Sequence, residues 1–124
     1  MSMLEFKNVS KKLHGITIAE QMDLQIREDT FSVIFGAPGS GKSTLLRLIT
    51  GLEKPDSGDI YIAGKRVNNV KPGDRNIGYV PQSFALYPHY SVFDNIAYPL
   101  KLLGVSKKNY TPIVQSTAEQ LQIT

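Results

Sequence analysis

Cysteine is absent from the 124 residues, which removes a disulfide framework, a thiolate zinc site and thiol chemistry together and fits a reducing compartment. Long apolar runs are absent as well. Phe31 to Phe35 and Leu45 to Ile49 fall far short of the ~20 residues that cross a bilayer. The opening Met1-Ser2-Met3-Leu4-Glu5 has no basic segment followed by an apolar stretch, so no signal peptide is expected, and any membrane role would run through a partner. Strong charge is missing too: a net charge of +3 suits anionic ligands but is not the dense basic face of a nucleic-acid binder, and no nucleic acid is expected. There is no internal repeat or low-complexity tract. What remains is ordinary for a globular chain of about one domain, with 41% hydrophobic and 20% charged residues.

Residues 1–30 read as antiparallel sheet. Leu4, Phe6 and Val9 alternate with polar residues, as do Met22, Leu24 and Ile26, with a turn at Lys11 to Gly15 between them. Phe31 to Phe35 differs: an almost unbroken apolar run ending at Gly36 suits a central strand buried on both faces of a parallel sheet. From Gly41 the pattern becomes helical, with Leu45, Leu48, Ile49 and Leu52 as one buried stripe and Gly51 as the stop. Pro55 to Gly58 is a turn. Ile60, Ile62, the Ala63-Gly64 turn and Val67 read as a small surface hairpin, and Ile77 to Val80 as a short strand halted by Pro81. Phe84 to Pro88 has neither period and reads as an ordered loop. Ser91 is an N-cap with Asp94 as its acidic partner, opening a helix with Val92, Phe93 and Ile96. In the tail, a helix opened at Ser106 would enclose Pro112 at a cost of about 3 kcal/mol. Thr111 as N-cap with Pro112 at the first helical position avoids that cost and makes Val114, Ala118 and Leu121 the buried stripe.

Residues 36 to 43 match G-x-x-x-x-G-K-[ST] in full, as Gly36-Ala37-Pro38-Gly39-Ser40-Gly41-Lys42-Ser43, followed by Thr44. The glycines let backbone N–H groups approach phosphate oxygens without a Cβ in the way, and the following helix turns its positive end toward the same anion. Lys42 reaches the β- and γ-phosphates as a mobile charge, Ser43 supplies a hydroxyl to Mg²⁺, and Thr44 faces the α-phosphate side. A glycine-rich turn with a chance lysine is the plain alternative. The expected context, after a buried strand and opening an amphipathic helix, favours a nucleoside triphosphate.

The flanks carry a resemblance. Gly36 to Gly51, Leu52 to Ile60 and the run Arg75 to His89 resemble, in order and spacing, the phosphate loop, its sequel and the Q-loop of ATP-binding-cassette (ABC) transporter ATPases; Ala85-Leu86-Tyr87-Pro88-His89 is most like sugar-importer subunits, and polyamine and iron importers share most of it. The resemblance implies an α/β P-loop NTPase: a RecA-like core over 31–83, an N-terminal antiparallel β subdomain over 1–30, and the start of a helical subdomain over 84–124. It implies ATP and Mg²⁺ as ligands at Gly36 to Thr44. Gln82 becomes the Q-loop residue that approaches Mg²⁺ and the attacking water, against the plain reading of a solvated loop glutamine. Phe84 to Tyr90 becomes the surface that receives a transmembrane permease, against simple packing of the loop on itself. A second ATP-binding subunit and a peripheral position on the cytoplasmic face of the membrane follow from the same resemblance.

There are departures. His14, followed by Gly15, stands near where the family stacks an aromatic ring on adenine, so it is either a smaller stacking face or an exposed turn residue. Asp29 replaces a frequent glycine and tolerates positive φ better than most residues. The family's second acidic strand motif with its catalytic Glu, its Leu-Ser-Gly-Gly-Gln signature and its switch histidine do not occur up to Thr124. A truncated N-terminal part that binds ATP, with little turnover of its own, is therefore expected. A soluble cassette ATPase without a membrane partner, and an ATP-binding protein without turnover, stay open as alternatives. No Asn-Lys-x-Asp element supports a GTPase.

Overall fold

A computed structural model describes residues 2–83 and 85–123. The chain divides into two compact units, Met1–Tyr79 and Val80–Thr124.

In the first unit, β1 (Ser2–Leu13) and β2 (Ile16–Arg27) form an antiparallel hairpin, as expected from their alternation. The turn is shorter than the sequence suggests. Lys11 to Leu13 belong to β1, and only His14 and Gly15 connect the strands, with φ of 51° and 79° that match the twist of a tight hairpin. Two more strands, β3 (Ser57–Ile62) and β4 (Lys65–Arg66), complete a sheet of order β2-β1-β3-β4. The expected hairpin at 60–67 thus forms, but its first strand is an inner strand of the sheet, with β4 at the edge. Ile60 and Val67 are buried, because both pack into one core with Leu4, Phe6, Val9 and Leu48.

The core of this unit is Leu4, Phe6, Val9, Leu48, Ile60 and Val67. A strict period of two would turn Val9 away from Phe6. An extra residue at Asn8 (φ 56°) shifts the register and returns Val9 to the core. Bulged amides need partners, and both strands supply them: Asn8 N–H donates to Asp23 Oδ1 at 2.8 Å, and Gln21 N–H (φ 46°) donates to Ser10 Oγ at 2.9 Å. Gly58 sits against the bulge, where a Cβ would stand 2.2 Å from the Asn8 carbonyl oxygen.

Helix α1 (Lys42–Thr50) runs between two left-handed glycines, Gly41 (φ 97°) and Gly51 (φ 90°). Leu48 is fully buried and Leu45 and Ile49 pack beside it, as their spacing predicts. Leu52 is not part of the stripe; it lies past the turn at Gly51 and is 56% exposed. The expected strands at 31–35 and 77–80 do not form, and Phe31 and Phe35 are 94% and 90% exposed. An extended segment is a strand only where a neighbour accepts its backbone bonds. Apolarity marks what a segment would bury, not whether that neighbour stands beside it. Asp29 takes the left-handed conformation expected of it, at φ 55°.

In the second unit, α2 (Val92–Leu102) starts at Ser91, whose Oγ accepts the Asp94 N–H at 3.0 Å. The Asp94 carboxylate turns along the helix to Lys101 Nζ, 3.3 Å away. Helix α3 (Lys107–Gln120) begins at Ser106 and encloses Pro112, which corrects the expected start at Thr111. Starting earlier puts Tyr110 and Val114 one turn apart on the face against α2, both buried beside Phe93 and Ile96. Val114 is on the apolar face from either start, so the earlier start adds Tyr110, and burying a large side chain, worth about 1.5–3 kcal/mol, offsets most of the proline penalty of about 3 kcal/mol. Ala118 is half-buried and Leu121 exposed, so the stripe is shifted one turn toward the N-terminus.

Two predictions test this fold. Gly58→Ala should destabilise the chain by at least about 2 kcal/mol in thermal denaturation, while Gly64→Ala, with nothing within 4 Å of its Cβ, should cost only about 1 kcal/mol of turn strain. Asp56 is held below its ordinary 3.8, chiefly by the Lys12 N–H it accepts at 2.8 Å, with Lys11 Nζ at 3.4 Å adding to the effect. A depressed carboxylate stabilises the fold above its unfolded value and loses that contribution as pH falls through the folded one. The melting temperature should therefore drop on acidification below 3.8, with a shallower drop in Asp56→Asn.

Candidate functional site

The connection from β2 to α1 contains the phosphate-loop residues. Ser40 N–H donates to the Ala37 carbonyl at 3.1 Å, closing a tight turn across Pro38 and Gly39, and Gly39 (φ 81°) and Gly41 (φ 97°) supply the two left-handed steps. The Lys42 ammonium folds back over the loop and donates to the Gly36 carbonyl, so the cation lies within the ring of backbone it belongs to. Among the described residues no side chain caps the start of α1, and no acidic residue stands in its first turn. Its leading N–H groups and its positive end are therefore available to an anion. Gly39, Gly41, Lys42, Ser43 and Thr44 line a recess of about 220 Å³ with Ile18 of β2. Ser43 is exposed there, and one hydroxyl donor fits Mg²⁺, which takes few protein ligands beside phosphate and water. Among the described residues no cluster of three acidic, His or Cys side chains offers a dedicated metal site.

Two contributors are not visible as site residues in the sequence. Ile18 packs so closely that a Cβ on Gly41 would lie 2.6 Å from its Cγ2. Nothing in a strand residue's local pattern announces which loop it will meet. Arg75 holds the far end of α1: its guanidinium is buried, donating to Leu48 O and Ile49 O at 3.1 Å each and to Val70 O at 2.9 Å. Burial pulls its pKa down, although a guanidinium starts so far above neutrality that it stays charged there.

The remaining candidates are placed elsewhere. His14 is exposed at the hairpin turn and is not among the residues that line the recess. Gln82 is an exposed turn residue of the second unit. Phe84 lies outside the described residues. Tyr87 and Tyr90 pack on each other with ring centroids 5.3 Å apart, and Tyr98 of α2 lies 4.7 Å from Tyr87. A hydrogen bond with Tyr98 raises the pKa of the Tyr87 hydroxyl. Asn95 shapes this loop, accepting from Tyr87 N–H at 2.9 Å and donating to the carbonyls of Tyr87, Tyr90 and Ser91. The loop aromatics therefore do pack on their own loop, yet each tyrosine keeps 39% of its surface exposed and Leu86 keeps 70%. No helix among the described residues is long and apolar enough to cross a membrane.

The ABC transporter family model matches residues 19–124. The maltose/maltodextrin import ATP-binding protein of Vibrio vulnificus (strain YJ016) is 46% identical over 123 residues, covering 99% of this chain and 33% of the relative. The sn-glycerol-3-phosphate import ATP-binding protein of Yersinia enterocolitica is 45% identical over 124 residues, covering 99% of this chain and 34% of the relative. The chain thus spans about a third of the length of the curated relatives it matches. A dimeric ATP-binding cassette in a post-hydrolysis state, bound to ADP and Pi, superposes with a TM-score of 0.82 at 31% identity, covering 94% of this chain and 56% of that one.

The packing of the loop makes a specific demand on Gly41. Gly41→Ala should lose a fluorescent ATP derivative by roughly tenfold or more in a binding titration, through both its φ of 97° and the contact with Ile18. Adding Ile18→Ala should recover only part of the loss, since it removes the contact and leaves the strained φ.

Proposed function

We propose that this chain, which belongs to the ABC transporter family, is the N-terminal part of an importer's ATP-binding subunit, with a carbohydrate-class solute as cargo. The observation that carries this reading is the loop itself. The Lys42 ammonium rests on the Gly36 carbonyl at the mouth of an uncapped helix, a preformed cradle for a triphosphate. Import of a sugar or sugar-like solute is supported by the names of the relatives, which act on maltose/maltodextrin and on sn-glycerol-3-phosphate.

In this reading the amides of Gly39 to Thr44 and the Lys42 ammonium bind the phosphates, and the Ser43 hydroxyl joins Mg²⁺ when the metal is bound. The metal would neutralise charge on the phosphate oxygens. Gln82 offers an amide oxygen to the metal and an amide N–H to water or phosphate. His14 would lend an imidazole face to adenine, from an exposed position that allows stacking. The exposed aromatics from Tyr87 to Tyr90 and Leu86 form an apolar surface suited to a permease helix, on the cytoplasmic face of the membrane. A second ATP-binding subunit is suggested by the dimeric cassette.

A second reading keeps ATP binding but no turnover by this chain alone. It rests on the length matched, since the chain spans about a third of the curated relatives. Labelled ATP bound at equilibrium without phosphate release would support it, and steady phosphate release by the 124-residue chain would sink it.

In the whole protein, Lys42→Ala should lower ATP turnover by roughly a hundredfold or more and abolish solute uptake, and uptake that survives would overturn the transport reading. Co-purification of the whole protein with a membrane subunit is expected, with weaker recovery for Tyr87→Ala/Tyr90→Ala; recovery of a soluble protein alone would favour a cassette ATPase without a membrane partner. His14→Ala should weaken adenine nucleotides more than inorganic triphosphate, and an equal effect on both would remove His14 from the adenine side.

A further inference from the structure

Helix α1 carries the phosphate loop at one end and meets Arg75 at the other. Nine residues make it about 13.5 Å long at 1.5 Å per residue, short enough to move as a rigid piece. Its last carbonyls would be orphans. That of Arg47 accepts the Gly51 and Glu53 N–H groups at 2.9 and 3.2 Å, and those of Leu48 and Ile49 are both held by the Nη1 of Arg75. The other contact of the guanidinium, Nε to the Val70 carbonyl, ties it to the segment that follows β4. The fit is close: a Cβ on Gly51 would lie 2.7 Å from Arg75 Cζ.

The electrostatics are unusual for a buried cation. Arg75 is 6% exposed, and among the described residues no carboxylate lies within ion-pair distance of it. Its counter-charge is the negative end of the α1 dipole. A carboxylate partner would be the ordinary way to bury an arginine. Here the helix takes that role, so the position and the direction of α1 are tied to the guanidinium. At the other end, among the described residues, no side chain caps the helix; Thr44 is buried in its first turn, and Ile18 stands against Gly41.

We propose that Arg75 is a positioning residue for nucleotide binding: by clamping the C-terminal carbonyls of α1 it sets where the amides of Ser43 and Thr44 and the Lys42 ammonium stand. The inference rests on the reading of Gly36 to Thr44 as the triphosphate site. The clamp acts at the end of the helix remote from the ligand, so Arg75 does not touch it. When the clamp is lost, α1 tilts about Leu48, the one fully buried side chain on its core face. The loop end then swings while the sheet remains.

The test uses the full chain with Arg75→Met and, because Met leaves the carbonyls of Leu48, Ile49 and Val70 without this donor, Arg75→Lys as a milder variant that keeps a cation at the same place. ATP and adenosine are each made to compete with a fluorescent ATP derivative, and amide hydrogen exchange is followed at residues 41–45. Loss of folded protein would weaken ATP and adenosine by the same factor. A displaced loop weakens ATP alone, by roughly tenfold in Arg75→Met, with partial recovery in Arg75→Lys and faster exchange at 41–45 in both. Unchanged ATP affinity in a folded variant overturns the proposal, and so does an equal loss for ATP and adenosine. If the unsubstituted chain binds no ATP, the nucleotide reading fails by itself. Arg75 is then judged on exchange alone, where faster exchange at 41–45 in Arg75→Lys upholds the clamp and unchanged exchange sinks it.

Discussion

The strand β1 is bonded on both sides, by β2 and by β3, and the rest of the first unit depends on that double pairing. A strand in this position must satisfy two ladders and still turn its apolar side chains to one face. Leu4 and Phe6 do so by simple alternation. Val9 does so only because the chain inserts Asn8, and the insertion is tolerable because Asp23 accepts the displaced amide and Gly58 leaves room for the displaced carbonyl. Three residues from three strands thus cooperate to keep one valine in the core. Leu48 packs on the surface this creates, and with Leu48 comes the helix that opens at the phosphate loop.

The site is built almost wholly of backbone. Two left-handed glycines, a turn closed by Ser40 and Ala37, and an uncapped helix start give it directional N–H groups, and Lys42 adds the mobile charge. Such geometry is local, so a run of nine residues can encode it. What local geometry cannot do is fix the loop in space. That falls to Ile18 on one side and to the packing and capping of α1 on the other, contacts made by residues far apart in sequence.

The second unit shows the same division. Ser91 caps α2 through a bond three residues long, and the sequence pattern announces it. Pro112 shows the reverse: its propensity argues against the helix that forms. Tyr110 lies N-terminal to it, and burying that ring against α2 offsets most of the local penalty. Asn95 was equally silent. Its amide organises the backbone from Tyr87 to Ser91, yet in the sequence it is one polar residue in a helix.

From its residues alone this chain declares the phosphate-loop motif, the helix after it, the antiparallel opening and the family its flanks resemble, because each depends on neighbours within a few positions. The left-handed glycines at Gly41 and Gly51 and the alternation in β1 and β2 are of that kind. Tertiary structure alone decided that Ile60 lies inside the sheet, that 31–35 and 77–80 stand without strand partners, that Ile18 faces the loop and that Arg75 closes α1. In each of these the deciding group comes from a distant part of the chain. A hydrogen bond or a packing contact has no sequence signal until the fold brings its second partner within reach.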